Sequence, residues 1–335
     1  MWMTGKTVDF LGIIGIRIFG NKMGSMNIFP LVLIVMGLGL FETITSIDNA
    51  IINAQVLSTM QPWARRWFRV WGLLFAIFLV RGLLPWLIVW ATVPTLGPID
   101  ALTATFSGDA SIAAAIEKSA PVLLIGGGTF LVFLFLHWLF LEPKTYGLVG
   151  EAFFQRHGGW FFAVVSVLLA IFVWFALRRG PLIAFGAVVG STAFFITHGF
   201  REQAARAEKN LMHNRLSDWS KILYLEVIDT TFSVDGVLGA FAFTLSVPLI
   251  LLGNGLGALI VRQLTVANVE RIRRYVYLKN GAMYSVLFLG LVMVSKSFGL
   301  HLPAWGSPVS TFGIVGFFFL KSRRTPLPSS CTSTG

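Results

Sequence analysis

Five carboxylates stand where so apolar a chain should have none. Glu42 and Asp48 lie in one apolar stretch, and Glu226, Asp229 and Asp235 in another. A bare carboxylate at a bilayer centre costs about 2.5–3.5 kcal/mol on insertion scales, so each needs a counter-charge or a task. On helices advancing about 100° per residue, Glu42, Ser46, Asn49 and Asn53 share one face, and Glu226, Asp229, Thr230 and Ser233 form a matching stripe. Together they offer carboxylate, amide and hydroxyl oxygens with no thiolate and no imidazole. That donor set suits hard cations such as Mn²⁺, Mg²⁺ or Ca²⁺ and disfavours zinc and copper. The candidate metal ligands are Glu42, Asp48, Asn49, Glu226, Asp229 and Asp235, with Ser46, Ser233, Arg81 and Arg262 in support.

The two stretches are copies of one motif. Phe41 to Ala50 aligns with Ile228 to Val237, acid over acid at Glu42/Asp229 and Asp48/Asp235, and Ser46 over Ser233. Val80-Arg81-Gly82-Leu83 finds an echo in Val261-Arg262-Gln263-Leu264. Asp48 and Asp235 point about 120° and 180° away from Glu42 and Glu226 on straight helices. Either the helices break near Ser46–Asn49 and Ser233–Gly236, freeing backbone carbonyls as ligands, or these two acids face elsewhere. The bland reading of the whole set is ion pairing with Arg81 and Arg262 for packing alone. Five acids outnumber two arginines, which favours function.

The setting that positions these residues is a membrane. Of 335 residues, 56% are hydrophobic and 12% charged, too few polar side chains for a water-soluble surface. Apolar segments run roughly over 28–57, 70–94, 120–141, 160–177, 181–200, 222–246, 247–265, 282–299 and 307–320, giving an all-α polytopic bundle of about nine spans. Residues 1–25 are undetermined, 26–320 form a single membrane domain, and 321–335 read as a disordered tail. Within the domain, 28–141 and 222–299 form two three-helix repeats. Spans one and six cross in opposite directions, so the repeats are inverted, an architecture many secondary transporters use around a midplane site.

The net charge of +11 reads as topology rather than as nucleic-acid binding. With the N-terminus outside, 17 of the 26 Lys and Arg fall inside and 7 outside, which places the C-terminus in the cytoplasm. Arg178 and Arg179 are the clearest violation. The single cysteine, Cys331, supports neither a disulfide framework nor a thiolate site. His137 and His198 read as interfacial, and Gly126-Gly127-Gly128 as close helix packing rather than a phosphate loop. No nucleophile and base set points to an enzyme, and no resident cofactor is expected.

Glu42 to Ala50 and Glu226 to Gly236 resemble the two signature segments of the TerC superfamily of bacterial membrane proteins, as do Tyr277 to Ala282 and His301 to Trp305. The likeness covers roughly residues 28–320 and is greatest for a branch of unknown function carrying Asp-Gly instead of Asp-Ser. It implies a bacterial inner-membrane protein associated with Mn²⁺ efflux or tellurite resistance, with the implicated acids at Glu42, Asp48, Glu226, Asp229 and Asp235 beside Asn49. Val292 stands where TerC proteins typically have Lys, so any role of that Lys is lost. The expected function is a secondary transporter exporting Mn²⁺ or a similar divalent cation, with the bilayer and the cation as partners and proton coupling open. The alternative is a non-transporting membrane partner in a metal or tellurite stress complex.

Overall fold

The computed structural model describes residues 28–93, 95, 97–101, 110–144, 146–148, 150–213, 217–267 and 275–324. The expectations for 1–25 and Cys331 lie outside the described residues, as does the side chain of Asp48. The described residues form helices and no strand. These are α1 (Ile28–Thr45), α2 (Ile47–Ser58), α3 (Pro62–Thr92), α4 (Ala110–Leu141), the short α5 (Glu151–Arg156), α6 (Phe161–Leu177), α7 (Pro181–His213), α8 (Asp218–Ala240), α9 (Val247–Ala267), α10 (Leu278–Ser297) and α11 (Gly306–Arg324). With α1 and α2 counted as one body interrupted at Ser46, the long helices fall on the nine apolar segments. α11 runs to Arg324, so the expected tail begins later than 321.

Local chemistry sets the boundaries. Extended Gln61 places Pro62 at the first turn of α3, where its missing N–H is no loss. Ser217 caps α8, its Oγ accepting from the Ser220 N–H at 3.3 Å. Gly299 closes α10 at φ 82°, a left-handed conformation that favours glycine.

Among the described residues, six helical stretches are long and apolar enough to cross a membrane: Ile28–Thr45, Pro62–Thr92, Ala114–Leu141, Gly158–Leu177, Pro181–Gln203 and Leu278–Ser297. Val247–Gln263 is a shorter apolar helix. α8 falls short of the expected nine because Asp218, Lys221, Glu226, Asp229 and Asp235 all lie on it. α6 and α7 turn Phe162, Trp174, Phe175, Leu182 and Phe185 outward, as a lipid-facing wall should.

Contacts between the halves fix helix directions. Going down α1–α2 and up α8, Phe41 meets Gly239, Glu42 meets Gly236, Asn49 meets Asp229 and Thr59 meets Lys221. These two motif helices are antiparallel. Gly82 lies against Leu251, Ile77 against Gly255 and Gly72 against Arg262, so α3 and α9 are antiparallel too. Gly128 meets Val294, Leu131 meets Gly290 and Phe135 meets Tyr284, which makes α4 and α10 the third such pair. Each helix of 28–141 therefore packs head-to-tail on its counterpart in 218–297, as inverted repeats require. At the crossing, the Glu42–Gly236 contact maps onto the Asp229–Asn49 contact when one repeat is laid on the other.

Glycines let α4 approach its neighbours. A Cβ on Gly126 would sit 2.9 Å from the Gly186 carbonyl oxygen, one on Gly128 3.0 Å from that of Gly290, and one on Gly190 would fall onto the Gly126 carbonyl. Gly190→Ala is expected to destabilise the bundle by about 1–3 kcal/mol. A thermal melt of the detergent-solubilised protein checks this by a fall in midpoint.

Candidate cation site

The site is built where α1–α2, α3, α8 and α9 cross. Glu42, fully buried on α1, sits one turn before the Ser46 interruption. Its Oε1 accepts from Arg81 Nη2 at 2.6 Å, from Arg81 Nε at 2.9 Å and from Ser46 Oγ at 2.9 Å. Arg81 comes from α3, where the backbone widens into two π-helical stretches, Phe68–Gly72 and Ala76–Leu83. Such widening is common at functional positions. Here Arg81 Nη1 donates to the Ala76 carbonyl of its own helix at 3.2 Å, which anchors the guanidinium.

The same Nη1 lies 3.5 Å from Asp229 Oδ2, and Asp229 Oδ1 accepts from Asn49 Nδ2 at 2.5 Å. Two carboxylates from opposite repeats thus share one arginine, held closely by Glu42 and loosely by Asp229. Glu226 lies one turn from Asp229 on α8, beside Gly72 and the Arg262 guanidinium. That guanidinium stacks 4.1 Å over Phe68. Glu42, Glu226 and Asp229 therefore face two arginines.

Acceptors outnumber donors. Glu42 Oε2, Asn49 Oδ1, Asn53 Oδ1, Glu226 Oε1 and Asn254 Oδ1 are buried without a hydrogen-bond partner. Buried polar atoms are nearly always paired, and an orphaned oxygen in a dry interior asks for a cation or a proton. Among the described residues no three His, Cys, Asp or Glu side chains gather as a metal-holding group. An ion here would be held by carboxylate plus amide oxygens.

Of the expected ligands, the structure brings Glu42, Asn49 and Asp229 together around Arg81, with Glu226 one turn away. Asp235 stands apart. The sequence offers Arg81 and Arg262 as counter-charges for the whole set of acids, but Asp235 Oδ1 lies 2.5 Å from Arg201 Nη2 of α7. The cause is helical phase: α8 continues unbroken through Ser233–Gly236, so Asp235 keeps the face opposite Glu226. Of the two alternatives the sequence leaves open for Asp235, a broken helix or a different face, the second holds. In the first motif Ser46 is a single turn residue, and the Ser46 N–H to Glu42 and Ala50 N–H to Ser46 bonds continue across it. The motif serines keep a shared habit, Ser46 Oγ reaching Glu42 and Ser233 Oγ the Asp229 carbonyl at 2.6 Å.

Three residues escaped the sequence reading. Asn254 is fully buried on α9 and donates to the Gly236 carbonyl at 3.4 Å. Arg201, counted as a charge at a helix end, enters the bundle and lies 4.8 Å over Phe232. Glu151 is buried, both its oxygens accepting from Asn280 Nδ2 at 3.1 and 3.0 Å and Oε1 from Tyr284 OH at 3.0 Å. This cross-tie gives the Tyr277–Ala282 segment a structural role. Beside it, burial holds the Lys144 ammonium below its usual range, opposed by Glu151 and Glu142. The rings of His137, near the C-terminal end of α4, and His198, midway along α7, lie 4.0 Å apart and tilted by 54°.

A family model described as a protein of unknown function (DUF475) matches residues 47–324. The uncharacterized membrane protein YceF of Bacillus subtilis (strain 168) is 28% identical over 164 residues, 48% of this chain and 61% of that protein. The chain thus spans about three fifths of the relative's length. No solved structure matches the chain.

Proposed function

We propose that this chain, which belongs to the DUF475 family of proteins of unknown function, is a secondary transporter, not an enzyme, that moves a hard divalent cation through the crossing of its two repeats. The observation that carries the reading is the set of orphaned buried oxygens, Asn49 Oδ1 on the residue that bonds Asp229, and Asn53 Oδ1 and Glu226 Oε1 one turn away along their helices. All are hard donors on helices of opposite repeats, where rocking of one repeat against the other would expose them to each side in turn. The chain is a multi-pass membrane protein; resemblance to TerC proteins supports a bacterial inner membrane, and the excess of Lys and Arg on one side supports an outside N-terminus. Resemblance to TerC proteins favours Mn²⁺ and export. Asp229, Glu226 and the two asparagines hold the cation in this account, and Glu42 with Arg81 sets the charge beside it.

Purified protein in liposomes, with Mn²⁺, Mg²⁺ and Ca²⁺ flux compared side by side, tests the proposal. Saturable Mn²⁺ movement at least about tenfold above protein-free vesicles is expected, with Zn²⁺ a poor substrate. Equal leakage with and without the protein would overturn it. One observation favours a second reading, a membrane scaffold for a metal-stress complex: Arg81 already pairs with Glu42 and Asp229, as a purely structural network would.

A further inference from the structure

α10 and α11 run antiparallel. Phe318 packs on Gly281 and stacks on Tyr284 with ring centroids 5.4 Å apart, and Ser322 Oγ accepts from the Tyr277 N–H at 3.3 Å. Beside this seam lies a groove of about 450 Å³, lined by Tyr284, Phe288 and Leu291 of α10, Gly313 and Phe317 of α11, and Leu148 from the connection between α4 and α5. Its walls are almost wholly apolar. Leu291 and Phe317 stand exposed at its mouth, where a helix as apolar as α10 meets lipid. Gly313 makes the room, since a Cβ there would meet nothing within 4 Å.

One end of the groove is basic. Gly313 and Phe317 lie one turn apart on α11, and the same face continues through Lys321 to Arg324. At about 1.5 Å per residue these two cations stand roughly 6 and 10 Å beyond Phe317, close enough to share one headgroup. Lys321 Nζ lies 4.8 Å over the Tyr277 ring, and Arg324 is exposed. Glu142 and Glu151, acids of this same end, are held elsewhere, Glu142 by Lys279 at 2.6 Å and Glu151 by Asn280 and Tyr284.

An apolar slot that opens to the bilayer and ends in two cations matches a molecule with a hydrocarbon tail and an anionic head. Apolar contact alone does not choose the occupant, because lipid tails are as apolar as the lining. Charge does. A second copy of the chain related by a two-fold axis along the membrane normal would set this basic end against its own image, like charge against like. A phosphate brings the opposite sign, and the planar guanidinium of Arg324 suits two of its oxygens at once.

We propose that the groove between α10 and α11 seats one acyl chain of an anionic phospholipid whose phosphate rests on Lys321 and Arg324. The inference goes beyond the transport reading and stands or falls without it. The groove holds the tail, Gly313 keeps it open, and the two cations select the headgroup.

The test is native mass spectrometry of the purified chain titrated with phosphatidylglycerol, with phosphatidylcholine of the same acyl chains, and with glycerol phosphate as the anion without a tail. Wild type should hold one phosphatidylglycerol about tenfold more tightly than phosphatidylcholine, and no glycerol phosphate. Gly313→Leu, whose side chain enters open space, should stay folded and weaken phosphatidylglycerol at least about tenfold by filling the groove. Lys321→Gln/Arg324→Gln should still take a lipid and lose the preference between headgroups. Equal hold on the two lipids by wild type overturns the inference, and so does undiminished phosphatidylglycerol on Gly313→Leu. Capture of glycerol phosphate alone marks a plain anion site and overturns it too. A lipid-free dimer that Gly313→Leu splits gives the groove to a second copy, with the same consequence. Should Gly313→Leu fail to fold, the charge variant decides: a headgroup preference that survives it overturns the inference, and one that vanishes upholds it.

Discussion

Asp229→Asn is expected to reduce cation flux by about a hundredfold or more while leaving the folded yield unchanged. Of the two carboxylates that share Arg81, Asp229 is the less committed to the protein. Its side chain is 14% exposed against 1% for Glu42, and its Oδ2 has Arg81 only at 3.5 Å. The amide keeps the shape of the acid and its place beside Asn49, and Arg81 keeps its two bonds to Glu42, so the helix crossing survives. What disappears is a hard anionic ligand, which a divalent cation cannot replace with an amide of the same size. Flux in liposomes, normalised to protein that elutes as a single species, reads the effect; unchanged flux would sink the assignment of Asp229.

Arg81→Met is expected to act on folding. It strands Glu42 in the bundle without a counter-charge, and breaking a buried pair from one side is typically destabilising by about 3–5 kcal/mol. Adding Glu42→Gln removes the stranded charge, so Arg81→Met/Glu42→Gln should regain most of the lost melting temperature. The double variant also separates the two functional readings. A scaffold whose charges serve only packing would recover its role with its fold, whereas a transporter that needs Glu42 and Arg81 would refold and still fail to move Mn²⁺ against a gradient.

The parts of the fold that sequence made legible are those written locally. Runs of about 20 apolar residues located the helices, and two motifs sharing acids and serines announced a repeat whose inversion the Glu42–Gly236 and Asn49–Asp229 contacts bear out. Partners written on distant helices were not legible. α8 looks too charged to cross a membrane when its composition is taken alone, yet Asp229 and Asp235 meet Arg81 and Arg201 from α3 and α7. Arg201 read as a topology signal because its position at a helix end says nothing of Asp235 across the interface. Asn254 is hidden for another reason: in Gly253-Asn254-Gly255 it looks like packing, and only its zero exposure and unpaired oxygen mark it. Helical phase did foretell that Asp235 faces away from Glu226, which an unbroken α8 made decisive.

The central claim is that buried oxygens from opposite repeats take a divalent cation at one place. Anomalous X-ray scattering from crystals of the protein grown with Mn²⁺ at concentrations that saturate flux locates that place directly. A peak within roughly 2.0–2.6 Å of Asp229 carboxylate oxygen, with Asn49 or Glu226 as a further ligand, is the predicted result. Manganese bound only elsewhere, with Asp229 still resting between Asn49 and Arg81, would contradict it.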